Sequence, residues 1–166
     1  VSTTNTPPTI SISGASYVSV PVGGSYADAG ATASDAQDGN LTSVITTTGS
    51  VNTSLLGTYY ITYAVTDTAG STTTAVRTVS VVDAVKPVIT LLGHSTIPLA
   101  VGWSYNDPGA TATDNYDGNI TSSIVVTGSV NTAVAGTYTI WYNVQDSSGN
   151  AATTVTRTVT VSVETP

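Results

Sequence analysis

The chain repeats itself. Sliding its 166 residues by 79 positions sets Pro8–Gly70 on Pro87–Gly149, and 34 of those 63 positions are identical. GATASDAQDGNLTS falls on GATATDNYDGNITS, TGSVNT falls on TGSVNT, and GTYYITYAVTD falls on GTYTIWYNVQD. Matches in this order and spacing mean two tandem copies of one structural unit. One extra residue after Gly149 shifts the frame, so that Arg77 matches Arg157 at a distance of 80. The units run from 1 to 83 and from 84 to 166. Pro8, Pro87 and Pro166 occupy the same place in successive frames, and the chain holds no Met. It therefore reads as a pair of modules taken from a longer array.

Inside each unit the periodicity is two. Tyr59, Ile61, Tyr63 and Val65 alternate with Tyr60, Thr62, Ala64 and Thr66, and the second unit repeats this as Tyr138, Ile140, Tyr142 and Val144 against Thr139, Trp141, Asn143 and Gln145. Alternation of this kind is that of a half-buried strand, with the first set facing the core. Further strands are predicted at Ile10–Ser13, Tyr17–Val22, Ala29–Ala33, Leu41–Thr46 and Val76–Val82, punctuated by Gly, Asn and Asp. A Thr- and Val-rich composition suits a pleated surface and leaves little for helices. About seven short strands in about 80 residues predict an all-β chain of two tandem immunoglobulin-like β-sandwich domains. The Gly-Thr-Tyr at Tyr59 and Tyr138 has the form of a tyrosine corner, which ties a loop to a strand.

The order PVITLLG, VGWSYNDPGATATDNYDGNITSSI, TGSVNT and GTYTIWYNVQDSSGNAATTVTRTVTV resembles the tandem Ig-like domains of bacterial surface proteins, of the type described as a domain of unknown function. It is similar, more loosely, to hyalin-repeat modules. The first unit departs from it mildly, with Gly24 for Trp103 and Ala29 for Pro108. The resemblance implies a non-catalytic spacer or stalk of an extracellular or cell-surface bacterial protein, adhesin-like, whose partners are neighbouring Ig-like modules.

Charge narrows the choices. Three basic residues face ten acidic ones, for a net charge of −7. Such a field repels nucleic acid and anionic lipid. No apolar run approaches the ~20 residues that a membrane helix needs. With no Cys, the core alone must hold each unit together. His94 is the single His, so neither a zinc site nor a Ser-His pair is suggested. Lys86, the single Lys, falls in the linker. Asn40, Asn52 and Asn119 begin glycosylation sequons.

The acids are not scattered. Asp28 matches Asp107, Asp35 matches Asp114, Asp38 matches Asp117, and Asp67 matches Asp146, while Asp83 lies in the linker VVDAVKP. Two readings of DAQDGN and DNYDGN stand open. One is turn chemistry, in which an Asx side chain accepts from backbone two residues on. The other is a cation. In a sandwich, the loops holding Asp35, Asp38 and Asp67 come to one end, as do those holding Asp114, Asp117 and Asp146, beside the linker and Asp83. Carboxylates gathered without a base attract Ca²⁺, which takes 6–8 hard oxygen ligands. The spacing is not that of an EF-hand loop, and Glu164 is the single Glu. Trp103, Tyr116 and Trp141 occur only in the second unit. Outward aromatics of this kind stack on sugar rings, which predicts a surface glycan or a protein as an alternative partner. Packing of the tryptophans on the sandwich flank is the other reading.

Overall fold

The computed structural model describes residues 4–163; Glu164 and Pro166 lie outside them. The chain divides into two compact units, Val1–Asp83 and Ala84–Pro166. In the first, β1 (Thr9–Ile12), β2 (Tyr17–Pro21), β3 (Ala31–Asp35), β4 (Gly39–Asn40), β5 (Thr46–Thr48), β6 (Gly57–Thr66) and β7 (Thr72–Val82) form two sheets. One has the order β1-β3-β4 and the other β2-β7-β6-β5. The second unit repeats the plan with β8 (Val88–Leu91), β9 (Thr96–Ala100), β10 (Ala110–Asp114), β11 (Gly118–Asn119), β12 (Val125–Thr127), β13 (Gly136–Asn143) and β14 (Val155–Ser162). These are all-β, immunoglobulin-like sandwiches in tandem.

The alternation read from the sequence is the burial observed. Ile61, Tyr63 and Val65 are buried, as are Ile140, Tyr142 and Val144, and so are Val79, Val81, Val159 and Val161 on the neighbouring strands of the same sheets. Fully burying a side chain of this kind stabilises by about 1.5–3 kcal/mol. Pairing between Tyr59 and Val79 and between Tyr138 and Val159 sets the register that keeps both apolar faces inward. The Tyr59 hydroxyl donates to the Leu55 carbonyl at 2.9 Å, and that of Tyr138 donates to Val134 at 3.0 Å. Each ties the preceding loop to its strand.

Three sequence expectations need correction. Leu41–Thr46 is not one strand: Thr42–Val44 form a single 3-10 turn, and β5 starts only at Thr46. The Asn40 side chain accepts from the Thr42 N–H at 2.9 Å, and the Thr42 hydroxyl bonds back to Ala33, so local side-chain bonds outcompete the ladder. Strand β3 begins two residues after the expected Ala29, because Gly30 sits at φ +74° and turns the chain there. The extra residue of the second unit is not accommodated directly after Gly149. Asn150 takes the role of Ser71, donating its N–H to Asp146 as Ser71 does to Asp67. The ladder partners Tyr63↔Ala75 and Tyr142↔Val155 show that the offset has entered by Val155. There β13 and β14 part, leaving an isolated Gln145↔Ala151 bridge.

The interior holds a charge. Arg77 is 3% exposed and Arg157 is 0% exposed. The Arg77 Nε pairs with Asp28 at 3.0 Å and donates to the Tyr63 hydroxyl at 3.2 Å, and that hydroxyl donates to Asp28 at 2.6 Å. The remaining guanidinium nitrogens donate to the carbonyls of Ala15, Ser13 and Gly30. In the second unit Arg157 pairs with Asp107 and donates to the carbonyls of His94, Leu92 and Gly109, while Tyr142 and Tyr105 donate to Asp107. Arg157 also lies 5.6 Å from the Tyr142 ring centroid. One cation thus satisfies a carboxylate and three loop carbonyls. Removing one member of a buried pair leaves the other uncompensated, at about 3–5 kcal/mol. Arg77→Met is therefore expected to destabilise the first unit by about that amount, and Tyr63→Phe by about 1–3 kcal/mol. Urea unfolding of the full chain measures both, and Arg77→Lys, which offers a point charge instead of a fork, recovers little of the loss.

Candidate functional site

The repeated acids are built from the turns upward. Asp35 ends β3, and its Oδ1 accepts from the N–H groups of Gln37 and Asp38 at 2.7 and 2.8 Å. Gly39, at φ +75°, then returns the chain as β4. Asp38 reaches across to the next loop, where its two oxygens accept from the N–H and hydroxyl of Thr68, both at 2.7 Å. Asp67 closes the β6–β7 turn by accepting from the Ser71 N–H at 2.7 Å and from the Asn5 side chain at 2.9 Å.

The second unit has the same construction. Asp114 accepts from Tyr116 and Asp117, Asp117 accepts from the N–H and hydroxyl of Ser147, and Asp146 accepts from the N–H and side chain of Asn150. Turn chemistry is therefore real at Asp35, Asp67, Asp114 and Asp146, while Asp38 and Asp117 bridge to the neighbouring loop. It does not exhaust them. The nearest carboxylate oxygens of Asp114 and Asp146 lie within 4.8 Å of one another. Asp114 Oδ2 and Asp35 Oδ2 are shut off from solvent and accept no hydrogen bond. Asp83 directly follows β7, with its side chain buried.

The electrostatics divide the carboxylates. Asp28 is held below the usual carboxylate range: burial pushes it up, but hydrogen bonds from Tyr63 and Tyr26 and the charge of Arg77 outweigh this. Asp107 is lowered likewise, with burial opposed by Tyr142, the Gly109 N–H, Tyr105 and Arg157. The Asn5 hydrogen bond is the largest cause lowering Asp67. At Asp146, burial is overcome by the two donors of Asn150. On the other side of these bonds, burial and Asp28 push the Tyr26 phenol up to about 12.

Of the aromatics singled out in the sequence, Trp103 is 62% exposed and Trp141 is 42% exposed. Trp141 stands on the outer face of β13, registered between Thr127 and Thr156. Its ring lies against Gly128, where a Cβ would come within 3.0 Å of two indole carbons. Gly128 cannot be replaced in any case, since the same Cβ would sit 2.3 Å from the Thr139 carbonyl. Tyr116 is half-buried and is not a free platform. Sequence reading passed over Tyr17 and Tyr60 of the first unit. Both are exposed, and both are registered opposite Thr78 on the outer face of the four-stranded sheet. His94 is exposed and contributes only its carbonyl, to Arg157.

A sandwich of this topology defines an immunoglobulin-like module. The family described as bacterial surface protein, Ig-like domain, matches residues 10–81 and 89–161, and the chain belongs to it. An 81.3 kDa protein of Acholeplasma phage L2 is 37% identical over 125 residues, 70% of this chain and 16% of its own length. The pesticidal crystal protein Cry22Aa of Bacillus thuringiensis is 34% identical over 159 residues, 89% of this chain and 21% of its own length. An outer cell wall protein of Brevibacillus brevis is 36% identical over 114 residues, 58% of this chain and 11% of its own length. The chain thus spans about a fifth or less of these relatives. Among solved structures, the lipoprotein BT2262 of Bacteroides thetaiotaomicron is 32% identical, covering 48% of this chain and 39% of that one at a TM-score of 0.43. Among the described residues, no helix is long and apolar enough to cross a membrane.

The lowered carboxylates fix a pH response. A group whose folded pKa lies below its unfolded value adds stability above the unfolded value, near 3.9 for Asp. That stability is lost as pH falls through the folded value, because the unfolded chain then binds more protons. The urea midpoint is expected to stay level from neutral pH to about pH 5 and to fall below about pH 4. Asp67→Asn, which keeps the acceptor for Ser71, should flatten part of that fall.

Proposed function

We propose that these modules are a load-bearing, non-catalytic spacer of a bacterial surface or secreted protein, joined to neighbouring Ig-like modules of the same chain. The observation that carries this reading is the parallel pairing of the second strand of each unit with its last strand. Strand β2 runs parallel to β7 over Tyr17↔Thr78 to Pro21↔Val82, and β9 runs parallel to β14 over Thr96↔Thr158 to Ser162↔Ala100. Tension applied at the ends of such a unit pulls parallel partners in opposite directions along their length. The interstrand bonds are then sheared together instead of being opened one at a time. Bonds from the Thr78 N–H to Ser16 and from the Val22 N–H to Val82 extend the clamp at either end. Arg77 adds to it, since from β7 it holds the carbonyls of Ser13 and Ala15 just before β2. The family's surface location and the cell wall relative support the placement.

Force spectroscopy tests this directly, because forced unfolding reports the unfolding rate. The chain has no Cys, so handles can be placed singly. Thr4→Cys with Ala84→Cys loads the first unit in shear, whereas Ser25→Cys with Ala84→Cys opens β2 from β7 at their common end. The shear geometry should require a markedly higher force. Equal forces in the two geometries would remove the mechanical reading.

A second reading rests on Trp141. An indole seated on glycine, half-exposed and registered between Thr127 and Thr156, would offer an aromatic surface to a pyranose ring. Under this reading Trp141→Ala abolishes retention on a glycan affinity gel without lowering the melting temperature. Retention unchanged by Trp141→Ala would exclude this face.

A further inference from the structure

We propose that Asp114 and Asp146 form a calcium site at the loop end of the second unit. The two carboxylates come from the β10–β11 turn and the turn that follows β13, and their nearest oxygens lie within 4.8 Å. Calcium holds its oxygens at 2.3–2.6 Å, so two ligands of one ion can stand as far apart as about 4.8 Å. The observed separation needs no rearrangement of either loop.

The carboxylates are already aimed. Asp114 Oδ1 accepts from the N–H groups of Tyr116 and Asp117, and Asp146 Oδ1 accepts from that of Asn150. These bonds fix the side chains and leave Asp114 Oδ2 enclosed, with no donor. The same oxygen is orphaned at the matched Asp35, whose side chain is 8% exposed. A charged oxygen removed from water without a hydrogen bond is costly unless something else compensates it. No arginine can do so in the second unit. Arg157 is committed to Asp107, which precedes β10, whereas Asp114 ends that strand. A divalent ion is the compensation that fits.

The donor chemistry selects the ion. Carboxylate oxygens without a His or Cys favour a hard cation over zinc. Two side chains leave most positions to water and backbone carbonyls, which places the affinity in the weak, extracellular class of roughly 10⁻⁴–10⁻³ M. Among the described residues, Asp35 and Asp67 belong to no group of three or more acids close enough to share an ion, although the Asn5 amide supports Asp67 Oδ2 as the Asn150 amide supports Asp146 Oδ2.

The test uses the full chain. Melts are compared in EDTA, in a few millimolar CaCl₂, in MgCl₂, and in NaCl of matched ionic strength. Calcium should raise the melting temperature of the second unit by several degrees, with neither NaCl nor MgCl₂ doing the same. Asp114→Asn keeps the Oδ1 acceptor that folds the turn and puts an amide in place of Oδ2. It should abolish the calcium shift while matching or exceeding the parent in EDTA. Asp146→Asn should also abolish the shift, from a lower melting temperature in EDTA because its amide meets the Asn150 amide, and Asp35→Asn should leave the shift in place. Terbium luminescence, sensitised by tyrosine and displaced by calcium, should give one ion per chain. An equal shift in NaCl or MgCl₂, a shift that survives both Asp114→Asn and Asp146→Asn, or a shift lost only in Asp35→Asn would each overturn the site.

Discussion

Each unit is organised around one arginine in a place where arginine is expensive. Taking a guanidinium out of water costs several kcal/mol before anything is gained. Arg77 and Arg157 recover it by satisfying a carboxylate and three backbone carbonyls at once, with tyrosine hydroxyls completing the carboxylate. Two of the three carbonyls lie in the loop between the first two strands of each unit, Ser13 and Ala15 in one and Leu92 and His94 in the other. The third, of Gly30 or Gly109, also accepts a backbone N–H from that loop. A hydrophobic residue of similar volume would fill the space and take the side-chain donor away from those loop carbonyls. In a chain without disulfides, this polar hub fixes where the first loop crosses between sheets.

The aspartates do related work at the opposite end of the third strand. Asp35 shapes a turn, Asp38 bridges that turn to the neighbouring one through Thr68, and Asp67 shapes the second turn. The outcome is a loop end braced by side chains instead of by strand pairing. Charged groups suit this task because their hydrogen bonds to backbone N–H are roughly twice as strong as neutral ones. An acidic surface follows as a by-product of loop construction.

Much of this was legible in the sequence. The repeat gave the units, the period of two gave the core faces of β6 and β13, and Gly-Thr-Tyr marked the corner. What was not legible was partnership. Asp28 showed only as one of the repeated acids, because nothing local says that it faces an arginine 49 positions later. A signal was available: in a chain with three basic residues, one arginine recurs in each repeat on the inward register of its strand. Leu41–Thr46 misled because Ile, Val and Leu suggest a strand, while the competing Asn40 and Thr42 side-chain bonds depend on the fold of β3. The extra residue could be counted from sequence but not located, since ladder register alone decides where it is absorbed.

That interruption has a consequence for a chain made of near-copies. Neighbouring units with the same core face the hazard of exchanging strands during folding. In the first unit β6 and β7 pair continuously from Gly57↔Val81 to Thr66↔Thr72. In the second, the ladder stops at Tyr142↔Val155 and resumes only at one bridge. A β14 that paired with β6 would bring its break into a hairpin built without one, and would forfeit the bonds at that end. One inserted residue thereby makes each hairpin a better partner to itself than to its neighbour.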